Sequence, residues 1–219
     1  MPLLKIIFWG IALLISEGEG TLSEDQTDIK QLYQDCNLEQ HIDYHIFEKA
    51  IIGFRKIKDK EQTGLITIID FGRASTADRL FIVDLQQKKL VKHSLVAHGK
   101  NSGTNFPHSF SNTSGSLKSC LGFYKTAETY YGKHGYSLRL DGLEVGFNDN
   151  ARSRAIVIHG ASYVSHGFAK KHGRLGRSWG CPALPVESTR DIIDLIKGGS
   201  VLFIYGRDTD YLEGSEYLN

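Results

Sequence analysis

Residues 154–185 read RAIVIHGASYVSHGFAKKHGRLGRSWGCPALP. The run from Arg154 to His159 is apolar and β-branched, so it reads as a buried strand that delivers an imidazole at its tip. Cys181 stands between Gly180 and Pro182, a framing that predicts a tight chain reversal and not a regular element. A side chain on such a turn can project into a cleft with neighbouring backbone N–H groups free, as a thiol nucleophile requires. The intervening segment is long enough for the chain to turn back and bring Cys181 towards His159.

Outward from this stretch, LITIID, RLFIVDL, LVKHSLVA, SCLGFYKT, YSLRL and VLFIY are short runs rich in β-branched and aromatic residues, separated by Gly, Asn, Asp and Ser clusters. Their spacing predicts a largely antiparallel sandwich or barrel, mainly β. Upstream the period changes. Ile42, Ile46, Phe47, Ala50, Ile51, Phe54 and Ile57 recur every three or four residues, so residues 28–36 and 40–58 are expected to form helices with one apolar face. A further helix is expected over Glu187–Lys197, ended by Gly198-Gly199. The class is therefore a β-rich domain with N-terminal helices, α+β overall.

The ends divide differently. Pro2–Ile15, PLLKIIFWGIALLI, is an apolar stretch with one lysine near its front. A core of about ten residues fits a secretory signal and is short for a membrane span. Residues 1–20 are thus read as a signal peptide or an uncleaved anchor that could tether the chain to a membrane, against the alternative of a buried helix. Residues 21–62 are read as linker and helical cap, 63–208 as the main domain and 209–219 as a C-terminal tail.

A net charge of +1 leaves no basic surplus to track phosphates, which argues against nucleic acid as a partner. A monomer is expected. The three cysteines are Cys36, Cys120 and Cys181. Pairing of the first two would leave Cys181 as the free thiol; the alternative is two small buried hydrophobes.

A cysteine needs a base or a positive environment to react near neutrality. His159 is the best-placed base. Gly160 and Gly180 would keep side chains out of the substrate's way, and the N–H groups of Gly180 and Cys181, with the Ser178 hydroxyl, could form an oxyanion hole. The offsets among His159, His166, His172 and Cys181 match no common zinc spacing, so no metal and no cofactor is expected. His166 and His172 are read as entrance or surface residues. His98, in VAHGKNSG, could reach a cleft, although a plain polar loop is favoured. Arg139 and Arg154 could clamp a substrate carboxylate. Gly132-Lys-His134-Gly135 reads as a turn, and the aromatics Tyr130, Tyr131 and Tyr136 as packing.

The segments RAIVIHGA, GRLGRSWGCPALP, VAHGKNSG and GKHGYSLRLDGLE resemble the YkuD-type L,D-transpeptidases, in particular the murein L,D-transpeptidase catalytic-domain branch. His159-Gly160 and Ser178-x-Gly180-Cys181 match that family's motif, and the resemblance covers roughly Leu65 to Tyr205. It implies a β-rich catalytic domain over 63–208, a periplasmic or envelope setting and peptidoglycan stem peptides as substrate. By that resemblance Cys181 would attack the carbonyl before a terminal D-alanine, with His159 as base and later acid. An amine acceptor would give a cross-link and water a carboxypeptidase product. One position departs: Trp179 stands where the general motif has histidine. An indole cannot shuttle protons, which keeps open a catalytically silent peptidoglycan-binding module and leaves Trp179 as a substrate-contact candidate.

Overall fold

The two periodicities separate as expected. A computed structural model describes residues 24–58 and 64–219. The apolar stretch Pro2–Ile15, read above as a signal or anchor, lies outside the described residues. Within them, no helix is long and apolar enough to cross a membrane.

The helical spacing yields α1 (Glu24–Asp35) and α2 (Tyr44–Lys56). Asp43 caps α2 by accepting the His45 N–H at 2.9 Å. Ile46, Phe47, Ala50 and Ile51 of α2 are buried. They share one core with the sheet, and the Phe123 ring packs directly on Gly53. The helices that cap the domain and the sheet therefore share one core.

The strands are β1 (Leu65–Asp70), β2 (Leu80–Asp84), β3 (Lys89–Ser94), β4 (Gly122–Gly132), β5 (Gly135–Gly142), β6 (Val157–Gly160), β7 (Ala183–Leu184) and β8 (Val201–Tyr205). They form one eight-stranded sheet in the order β3-β2-β1-β8-β4-β5-β6-β7. Its pairs are antiparallel except β1 with β8 and β6 with β7. The edges then meet. The chain leaving β3 bridges to β7 at Ala97 and Ala183, and Gly99 pairs with Ser178. Those contacts nearly close the sheet into a barrel, which shields edges that would otherwise offer unpaired backbone.

Two strand boundaries differ from the sequence reading, each for a local reason. Residues 154–156 stay in a turn because Ala155 takes a positive φ of 53° and the Ile156 N–H bonds Ala151 O at 2.9 Å. Strand β4 runs on to Gly132 across a register shift at Thr126/Thr129, so a long hairpin projects from the sheet with Lys133-His134 as its turn.

The remaining helices are α3 (His166–His172), α4 (Val186–Ile196) and α5 (Thr209–Gly214). Helix α4 ends at Gly198-Gly199, both with positive φ. The stretch read as a C-terminal tail contains α5, whose Tyr211 is buried and donates to Glu144 Oε2 at 3.1 Å. Cys36, Cys120 and Cys181 are all free, so the pairing of Cys36 with Cys120 is absent. Cys36 and Cys120 are buried, and Cys120 Sγ accepts the Tyr124 hydroxyl at 3.0 Å.

Candidate active site

Ser178 builds the cysteine turn. Its hydroxyl accepts the Gly180 N–H at 3.1 Å and donates to Cys181 O at 2.6 Å. One side chain thereby fixes both ends of the reversal. Gly180 has φ +129°, and a Cβ there would lie 2.9 Å from Lys118 O, so glycine is required both for conformation and for the approach of the neighbouring loop. The Gly180 N–H, expected to point at an oxyanion, is here engaged by Ser178. Among the described residues, the Cys181 N–H bonds no other residue and faces its own sulfur.

Two further loops are tied to this turn. Ser119 Oγ accepts the Gly99 N–H at 3.0 Å and donates to Gly180 O at 3.2 Å. Arg154 reaches Ser111 O at 2.6 Å and Lys118 O at 2.7 Å. Its guanidinium thus clamps the 111–118 loop beside the thiol and is not held out for a substrate carboxylate. The sequence reading missed Ser119, because an isolated buried serine carries no periodic signal.

Cys181 is half-buried. Its sulfur accepts the Val157 N–H at 3.4 Å and donates to Ala155 O at 3.6 Å. Burial pushes its pKa above the usual thiol range, and nearby Cys120 adds to the rise. The Val157 N–H and Arg154 pull the other way without cancelling it.

His159 arrives on β6, immediately beside this turn. The parallel β6–β7 register pairs His159 with Ala183, two residues past Cys181 and therefore about 7 Å along the strand. The imidazole is only 3% exposed. Its Nδ1 lies 3.0 Å from Gly160 O. A carbonyl can only accept, so the proton sits on Nδ1 and Nε2 keeps its lone pair. Burial lowers the His159 pKa; the Gly160 carbonyl opposes this, while His134 and Lys133 reinforce it. At neutral pH the resting pair is thus a neutral thiol and a neutral imidazole.

The side chain missing at Gly160 makes room for a helix: a Cβ there would lie 2.8 Å from Thr189 Oγ1 of α4. His98 is fully buried, which removes it from substrate contact. Its Nδ1 accepts from Arg79 Nη2 at 2.8 Å, leaving Nε2–H directed at Gly103 O, 3.4 Å away. Burial, then the Arg79 charge, pushes its pKa down to about 3. Arg139 pairs with Glu128 at 3.1 Å and covers the Tyr130 ring at 4.5 Å. His166 and His172 are exposed at the two ends of α3. Among the described residues, no three His, Cys, Asp or Glu side chains are grouped to hold a metal ion.

Two further neighbours, His134 and Tyr163, were not singled out as site residues from sequence, whereas Trp179 was. The His134 ring, at the β4–β5 turn, stacks on His159 with centroids 4.3 Å apart. Tyr163, just after β6, has its pKa pushed up to about 12 by burial and then by Cys181. Trp179 is 68% exposed, with Lys133 Nζ and Lys100 Nζ at 5.2 and 5.9 Å from its ring centre. The segments GKHG and VAHGKNSG were visible in the sequence. Nothing local indicated that a hairpin tip and a strand exit meet at one tryptophan.

The family model described as the L,D-transpeptidase catalytic domain matches residues 38–205, taking in α2 as well as the sheet. No curated protein matches the chain. Among solved structures the chain is similar to an L,D-transpeptidase from Mycobacterium smegmatis, with 10% identity over 65% of this chain and 59% of that one at a TM-score of 0.39. It is also similar to an L,D-transpeptidase from Stackebrandtia nassauensis, with 12% identity over 84% and 79% at 0.40. A helical cell shape determining protein from Campylobacter jejuni matches with 14% identity over 74% and 56% at 0.39. The chain spans about three fifths of the length of the Mycobacterium smegmatis chain. At these scores the assignment rests on the family match.

Proposed function

The chain belongs to the L,D-transpeptidase catalytic-domain family, and on that premise we propose that it is a cysteine acyltransferase acting on peptidoglycan stem peptides. The observation that carries this reading is the cysteine turn set against β6. Ser178 holds Cys181 with its N–H bonded to no other residue, and the adjacent strand supplies His159 with a free Nε2 lone pair.

In this reading the thiol turns from Ala155 O towards the imidazole. Nε2 takes the Sγ proton as sulfur bonds to the carbonyl carbon before the terminal D-alanine. The Cys181 N–H donates to the resulting oxyanion. Collapse breaks the C–N bond, and His159 returns its proton to the leaving amine. D-Alanine departs and a thioester remains on Cys181. An acceptor amine resolves it to a cross-link, or water to a shortened stem. Proton transfer is coupled to attack, because a raised thiol and a lowered imidazole disfavour a preformed ion pair. The apolar stretch Pro2–Ile15 supports export to the cell envelope.

The test is intact-protein mass spectrometry with a purified tetrapeptide muropeptide. A thioester on Cys181 and released D-alanine are expected, and both are lost in Cys181→Ala. D-Alanine release unchanged by that substitution refutes the mechanism. A second reading, a catalytically silent peptidoglycan-binding module, is favoured by one observation: the thiol bonds Ala155 O and burial raises its pKa. It predicts sacculus binding with no adduct on Cys181.

A further inference from the structure

Trp179 is the unusual residue of the motif, and its surroundings are as unusual as its identity. A large indole left 68% exposed two residues before the thiol carries two lysine ammoniums near its ring. Cation–π attraction accounts for one lysine at such a ring. Here two ammoniums stand 5.2 and 5.9 Å from one ring centre, and like charges gathered at one side chain repel each other. Among the described residues, neither Lys100 nor Lys133 has a carboxylate partner. Such a pair calls for an anion from outside.

The backbone carrying each lysine is also tied to the site. The Lys100 N–H bonds Ser178 O at 2.8 Å, and Arg177 fixes the Lys100 carbonyl at 3.0 Å. Lys133 precedes His134, whose ring stacks on His159 at 4.3 Å. One ammonium is therefore registered to the cysteine turn and the other to the base.

We propose that Lys100, Lys133 and Trp179 form the subsite for the free carboxylate of the residue that leaves. This rests on the acyl-transfer reading above and names what it selects. The leaving nitrogen must take its proton from His159, so the departing residue lies on the His159 side of the thiol. Its carboxyl carbon is two bonds beyond that nitrogen. Lys133 stands on this side, and the indole gives the short side chain of the leaving residue an apolar floor. The recognised class is a peptide ending in a free α-carboxylate, attacked one residue from its end. Amidated ends and internal peptide bonds offer no anion at that point and are rejected.

The test uses two stem tetrapeptides differing only in a C-terminal carboxylate or carboxamide. Binding is followed by tryptophan fluorescence on the full chain carrying Cys181→Ala, and thioester formation by mass spectrometry on the wild type. A preference for the acid of about 10- to 100-fold is expected from two charge-assisted contacts. In the double variant Lys100→Gln, Lys133→Gln that ratio falls to within about threefold of one, while Lys133→Arg retains it. Equal binding of acid and amide, or a ratio that survives the double substitution, overturns the subsite whatever the chemistry at Cys181. Absence of any thioester in the wild type, with the binding preference intact, overturns the acyl-transfer reading and leaves the anion site standing.

Discussion

Replacing Ser178 by alanine removes one oxygen and unties two backbone groups. The hydroxyl accepts from the Gly180 N–H at 3.1 Å and donates to Cys181 O at 2.6 Å. Gly180 is buried, so its orphaned N–H costs about 1–3 kcal/mol. Cys181 is half-buried, and its carbonyl can turn to water, losing only the ordinary net value of about 0.5–1.5 kcal/mol. Together these amount to roughly 1.5–4.5 kcal/mol, which for a chain of this size lowers Tm by roughly 3–18 °C. The effect on chemistry is larger in proportion, because the turn sets where the thiol and the Cys181 N–H point. A displacement of about 1 Å there costs about 100-fold in rate. Ser178→Thr keeps the oxygen and holds acylation within about tenfold of wild type. Thermal unfolding gives the first quantity, and a time course of thioester formation with a tetrapeptide donor gives the second. A Ser178→Ala protein that melts and acylates like wild type refutes the role assigned to this hydroxyl.

Alkylation of Cys181 by iodoacetamide should be slow at neutral pH and rise through the alkaline range, since burial holds the thiol above its ordinary pKa; a rate plateau reached below about pH 8 contradicts this. Gly53→Ala gains about 1 kcal/mol of helix propensity. It also sets a Cβ 2.1 Å from Phe123 Cζ, in a ring stacked on Phe203 at 4.4 Å. Overpacking of about 1–3 kcal/mol wins, so Tm falls, and a rise would be the contrary result. The depressed pKa of His98 means that the unfolded chain binds its proton first as pH drops from about 6.5. Stability is full above that value and falls towards pH about 3, with a slope of up to about 1.4 kcal/mol per pH unit. The buried Asp70 and Glu144, whose pKa values burial raises, act with the opposite sign. The comparison of wild type with His98→Gln in denaturant titrations isolates the histidine: an unchanged slope would show that His98 does not titrate in this way.

The legible part of the fold was the part written in short-range pattern. VLFIY is buried throughout as β8 and LITIID is buried from Ile66 onward as β1, where parallel pairing in the sheet interior removes any alternation with solvent. The α2 face and the Gly198-Gly199 stop were legible for the same reason. The start of β6 was not, because the Ala155 turn depends on a hydrogen bond to Ala151 and no residue preference announces it. His98 shows the limit most clearly. Its segment reads as a polar loop, yet the ring is buried against Arg79, which lies just before β2 and 19 residues away in the chain.

The sequence by itself determined the candidate nucleophile, the candidate base and the β-rich class, because Gly180-Cys181-Pro182 and the strand tip at His159 are local chemical statements. Tertiary structure decided what each polar neighbour does. Ser178 and Gly180 are spent on each other, Arg154 on a loop carbonyl and Gly160 on the approach of α4. It also brought together Lys100, Lys133 and Trp179, which lie far apart in the chain. The near-closure of the sheet through Ala97 and Ala183 and the projection of the β4–β5 hairpin set those positions. Both are long-range pairings, and their register depends on partners that no single window of sequence contains.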